Sequence, residues 1–199
     1  MINFLGGIAM GREDMNKEVN TTNKKITGSM KLMYYFLVGV SAVIPVLFML
    51  KLCYLDVYAV DGTLVSHTQY YLWNSLEMFK QIYKETADGG FFTMVSAIPV
   101  GLIVLSMIYC VLSIVKAVKE KLSWKHAESA GHACMSTIIA TASFIVIYNI
   151  VSEFFEQKSG FSGQELKCNI NIFIILGIAI VGRLVSYFYF KKVKENHLF

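Results

Sequence analysis

Four long apolar runs separated by polar segments dominate the chain, at residues 32–50, 91–115, 133–152 and 168–190. Crossing about 30 Å of hydrocarbon takes about 20 helical residues, and each run is long enough. The first three contain no Asp, Glu, Lys or Arg, and the fourth contains only Arg183. In hydrocarbon every backbone amide must bond inside its own segment, and four runs of this length do not suit a barrel. The pattern predicts an all-α integral membrane protein, a four-transmembrane-helix bundle with helices at about 32–53, 91–115, 133–152 and 168–190. Residues 1–31 and 191–199 then form terminal segments, 116–132 a connecting loop, and 54–90 and 153–167 two loops at the other face.

The first of those two loops is the only extramembrane segment long enough for structure of its own. Residues 54–60 alternate and are rich in Val and Tyr, and 63–72 is again rich in β-formers. Asp61-Gly62 between them predicts a hairpin with a type I′ turn. Beyond it, Leu72, Leu76, Phe79 and Tyr83 recur every three or four residues, the spacing of an amphipathic helix lying on the membrane or capping the bundle. Trp73, Tyr70 and Tyr71 suit a membrane interface, where the ring is buried and its polar tip stays wet, or a partner surface. The second loop, 153–167, is short and polar, carries Gly160 and Gly163, and offers little surface.

Composition agrees with the pattern. Of 199 residues 55% are hydrophobic and 16% charged, against about 25% charged in soluble domains. Lys and Arg matter through their placement. Segments 1–31, 116–132 and the C-terminal end hold thirteen, and the two remaining loops hold five. Positive charge stays cytoplasmic, which puts both termini inside and both loops outside a multi-pass protein of the cell membrane. The apolar run at 32–50 exceeds a signal-peptide core and no A-x-A-like site follows it, so it reads as an uncleaved anchor. Lys51 and Leu52 before Cys53 do not fit a lipoprotein site. Gly11-Arg12-Glu13-Asp14 is what a purine-rich, ribosome-binding-like stretch would encode, which predicts translation from Met15; codons without such a run would refute it.

Few positions could carry chemistry. Arg183 is a charge within an apolar run, seven residues from Phe190 and so about 10 Å from the end of the helix. It snorkels to the surface or contacts a ligand, lipid headgroup or partner, and no acidic residue in the other runs is placed to pair with it. Cys53 and Cys168 sit where the first run ends and the last begins, so an outer disulfide would join the two in an oxidising compartment. Cys110 and Cys134 lie towards the cytoplasm. His126, Glu128 and His132 invite a metal reading, but the two His are six apart and diverge on a helix, and no CxxC accompanies them. Ser129, Ala130, Gly131, Ala133, Ser136, Ala140 and Ser143 are small and allow close helix packing. Pro45 and Pro99 predict helix kinks, and Asn149 a buried amide bonding across helices. There is no P-loop, Rossmann glycine pattern, G-x-S-x-G or zincin motif.

Cytoplasmic termini, a β-prone first outer loop and Leu72-Trp73 within it resemble the claudin-type tetraspan plan. That family's loop carries G-L-W followed by paired cysteines. Here Tyr71 replaces the Gly and no cysteine follows within the loop, so the resemblance supplies only an alternative shape for it. Three functions remain. A non-enzymatic membrane subunit or partner-binding protein needs an apolar bundle, small-residue faces and an exposed loop, all present. A small channel or transporter would use the Pro-kinked helices and Arg183, without internal repeats or membrane carboxylates to help. An enzyme would have only His126, Glu128 and His132. The expected partners are the lipid bilayer and another membrane protein or a second copy; nucleic acid and cofactors are not expected.

Overall fold

A computed structural model of the chain describes residues 28–75, 77, 89–158 and 164–195. The elements run α1 (Gly28–Phe48), β1 (Cys53–Tyr58), β2 (Leu64–Tyr70), α2 (Gly89–Lys119), α3 (Trp124–Lys158), β3 (Gln164–Cys168) and α4 (Ile170–Glu195). All four helices are long and apolar enough to cross a membrane. They are apolar on the outer faces as well as within the bundle. Bulky Ile108, Val111, Val146, Ile174 and Val181 are exposed, while Ser106, Ser113, Ala127, Ala130, Ala140 and Ala179 face inward. Large apolar side chains such as Ile44, Phe48, Ile103, Phe144 and Ile172 fill the core, and small residues and buried hydroxyls let the helices approach one another between them. Ser41 Oγ bonds Ser113 Oγ at 3.2 Å across α1 and α2, the Tyr34 hydroxyl donates to Ala117 O at 2.8 Å, and Ser186 Oγ donates to Ala127 O at 2.7 Å across α3 and α4. The helices pack in the order α2–α3–α4–α1, with α1 closing back on α2.

Three boundaries differ from the hydropathy pattern, two of them at a polar side chain that caps the helix. The segment 116–132 is not a loop. Ser123 Oγ accepts from the His126 N–H at 3.3 Å and caps α3, which starts at Trp124, so only 120–123 connect α2 to α3. There Leu122 adopts φ 57° while its side chain packs on the core of that end around Met30, Tyr34 and Tyr189. The first helix stops at Phe48 rather than 53, with i→i+3 bonds Met49 N–H to Val46 O and Leu50 N–H to Leu47 O at 3.1 and 3.0 Å closing it. Pro45 therefore stands in the last turn of α1, whereas Pro99 lies within α2. The fourth helix begins at Ile170, where Asn169 Oδ1 accepts from the Asn171 N–H at 3.1 Å. Cys53 and Cys168 consequently belong to strands. Asn149 is exposed on α3, because the preceding Tyr148 takes the inward position.

The two loops that the sequence separates meet in one antiparallel sheet of order β2-β1-β3. The segment 153–167 is therefore no bare connection: α3 continues to Lys158, and Gln164–Cys168 adds a strand to β1. The hairpin forms as expected, but its turn is not type I′. Gly62 alone has positive φ, at 81°, and its N–H donates to Ala59 O at 2.9 Å while Ala59 N–H donates to Thr63 O at 2.8 Å. That is a three-residue loop, a type I turn closed by a left-handed glycine. Asp61 Oδ1 accepts from the Thr63 N–H and hydroxyl at 2.9 and 2.6 Å, which holds its carboxyl below the usual range. The expected amphipathic helix through Leu76, Phe79 and Tyr83 lies outside the described residues, as do Met15, Gly160 and Gly163.

Candidate functional site

Charge separates the two ends of the bundle. At the end away from the sheet lie Lys31, Lys116, Lys119, Lys121, Lys125, Lys191, Lys192 and Lys194 against Glu120, Glu128 and Glu195, with Lys125 paired to Glu120 and Lys191 to Glu195. The sheet end carries Asp56, Asp61, Glu77, Glu153 and Glu165 with Lys51, Lys158 and Lys167, of which Lys167 pairs with Glu165.

At the sheet end β1 is the central strand, and it brings together what the sequence placed on separate segments. Cys53 is opposite Tyr70 on β2 and opposite Cys168 on β3. Cys53 is fully buried and Cys168 half-buried against the same core. The Tyr148 side chain reaches Cys53 and Ser75 from α3. Burial pushes both thiols up, Cys168 to about 11 and Cys53 further. All four described cysteines are thiols. Tyr71 and Trp73 stack, with ring centroids 4.7 Å apart and planes 5° from parallel. Trp73 stands exposed at the mouth of an apolar groove of about 610 Å³ between α1 and α2, whose walls include Pro45, Met49, Val104 and Ile108. Every residue lining the groove is apolar.

One pair went unnoticed in the sequence. Asp56 and His67 face each other across β1 and β2, Nδ1 to Oδ1 2.6 Å, and Gln69 Nε2 lies 2.9 Å from His67 Nε2. The ring therefore bridges the Asp56 carboxylate on one side and the Gln69 side-chain amide on the other. A carboxylate–imidazole unit orients bases in hydrolases. Here the Gln69 side-chain amide lies against Nε2, and the Asp56–His67 contact joins β1 to β2.

The other end holds Arg183. Its Nη1 sits 2.5 Å from where a Cβ on Gly131 would stand, with Ser186 Oγ 2.7 Å from the same point, so the bare backbone at Gly131 lets the guanidinium lie on α3. Arg183, Ser186 and Tyr187 from α4 and Glu128 and His132 from α3 line a crevice of about 290 Å³. Glu128 lines the same crevice as Arg183. The early start of α3 places Glu128 one turn from His132 on one face. Arg183 makes no ion pair with it among the described residues. His126 points the other way, fully buried between the rings of Tyr34 and Tyr189 at 4.9 and 6.3 Å. The three residues considered for a metal therefore divide between crevice and core, and no metal-ligating trio occurs among the described residues.

Comparison with family models, curated proteins and solved structures finds no match to this chain.

Proposed function

We propose that the chain is a non-enzymatic, multi-pass protein of the cell membrane, with both termini cytoplasmic, that binds a partner membrane protein through the free edge of its outer sheet. The orientation is supported by the segregation of lysines to the end away from the sheet, following the positive-inside rule. The partner reading rests on one observation. Among the described residues β2 has no strand on its far side, and Leu64 and Val65 on it are 54% and 65% exposed. An open edge is a template for an extended segment of another chain, with main-chain hydrogen bonds giving affinity and alternate side chains giving selectivity. The nearby Tyr71–Trp73 stack extends that surface to the membrane boundary.

A photo-crosslinking amino acid at Val65, irradiated in native membranes before purification in mild detergent, tests the reading. A single adduct between this chain and another membrane protein supports it. An adduct between two copies, or a monomer with no adduct, overturns it. The groove and the Arg183 crevice would also suit a small transporter, but nothing in the geometry joins them into a path.

A further inference from the structure

We propose that Cys53 and Cys168 form a redox site, closing into a cross-strand disulfide that staples the end of α1 to the start of α4. The register pairs the two directly. The Asn169 N–H donates to Leu52 O at 2.8 Å, so the carbonyl of the 52–53 peptide points towards β3. Its N–H, that of Cys53, points the opposite way, towards β2. Cys53 and Cys168 are thus a non-hydrogen-bonded antiparallel pair, whose Cα atoms stand about 4.5 Å apart in regular sheets. Disulfides accept Cα separations of about 4.4–6.8 Å. Both side chains lie on the sheet face turned to the bundle, against one core, and the two thiols act on each other electrostatically. Nothing between them would need to move far. Cys110 and Cys134, by contrast, lie inside the spans of α2 and α3, away from any aqueous oxidant.

The proposal rests on the sheet facing the extracytoplasmic side. There the acceptor is the disulfide of a thiol–disulfide oxidoreductase. The sulfur of Cys168, half-exposed on an edge strand, attacks one sulfur of that disulfide and forms a mixed disulfide. The Cys53 sulfur then displaces it. Two electrons pass to the oxidant, and the two thiol protons end on its two released sulfurs. Because burial holds the folded thiols protonated, closure belongs to assembly, before the sheet has fully settled on the bundle. Once closed, the bond is screened from soluble reductants by the same burial.

The test uses the full-length chain in its native membrane with a protease site inserted in the 120–123 turn. Free thiols are trapped with acid and then alkylated with a mass-tag maleimide, and the protein is cleaved. The expected result is two halves that migrate together without reductant, separate with it, and separate without it in Cys53→Ser and Cys168→Ser. A second arm places Val60→Cys, at the fully exposed hairpin tip, in a chain carrying both serine substitutions and treats intact cells with a membrane-impermeant maleimide. If Val60→Cys is labelled but both native thiols alkylate, the disulfide is refuted and the topology stands. If Val60→Cys is shielded until the cells are opened, the topology is refuted, and the disulfide with it.

Discussion

Close approach at single positions decides how tightly α3 and α4 fit. At Gly131 an added methyl would meet two atoms of unequal freedom. Arg183 Nη1 ends a long side chain and can swing away at little cost. Ser186 Oγ is held by its bond to Ala127 O and must break it to make room, at about 1 kcal/mol for a hydrogen bond of this kind. Against that, alanine is about 1 kcal/mol better than glycine within a helix. Gly131→Ala is therefore expected to change stability by less than about 1 kcal/mol in the native chain. In Ser186→Ala, where the obstructing oxygen is gone, it should stabilise by about 1 kcal/mol. Unfolding of detergent-purified single and double variants measures the coupling, and additive effects would show that Ser186 is not the obstacle. The sequence marks Gly131 as part of a small-residue stripe, but not what lies over it, because that depends on where α3 begins. One serine at 123 displaces that start by nine residues from the apolar run and moves Glu128 and His132 from a loop to the helix face beside Arg183.

At the scale of elements, the hairpin shows what a turn signal does and does not determine. Asp61-Gly62 suggested a two-residue turn, and the observed loop is one residue longer, with Val60, Asp61 and Gly62 between the bonded Ala59 and Thr63. That would slip every later pair by one. The ladder instead jumps from Tyr58↔Leu64 to Val57↔Ser66, leaving Val65 as a bulge, and the remaining pairs have the register the shorter turn would have given. The Asp56–His67 tie was thus implicit in the alternation around the turn, though the turn type was misjudged. The strand at 164–168 was not legible: five residues alternating Gln-Glu-Lys with Leu and Cys carry no signal until β1 is available to pair with. The turn itself is testable at Gly62. A left-handed conformation costs a residue with a Cβ about 1–2 kcal/mol, and Asn less than most. Gly62→Val should loosen the hairpin and speed its cleavage by an added protease, with Gly62→Asn close to the native rate. Equal rates for Val and Gly would mean that the turn does not hold the strands.

For the whole molecule, the proposed orientation follows from how the four apolar helices divide their flanking charge. With 31 and 35 residues, α2 and α3 are about 46 and 52 Å long, beyond the roughly 30 Å of the hydrocarbon core. The excess includes the end bearing Lys116, Lys119, Lys121 and Lys125, which stand around a turn too short to be carried as a separate domain. Charges this close to the spans are the ones that count in topology. Lys31 and the three lysines near the end of α4 add to the same side, so no one group acts alone. Replacing the four lysines of the α2–α3 turn with Gln should therefore leave most chains in the native orientation and invert a minority. Replacing Lys31, Lys191, Lys192 and Lys194 as well should produce a mixed population. The hairpin tip reports the outcome, since Val60→Cys is labelled in intact cells only when the sheet lies outside. Native labelling after all eight substitutions would show that these lysines do not set the topology, and would pass that role to Arg12, Lys17, Lys24 and Lys25 ahead of the first span.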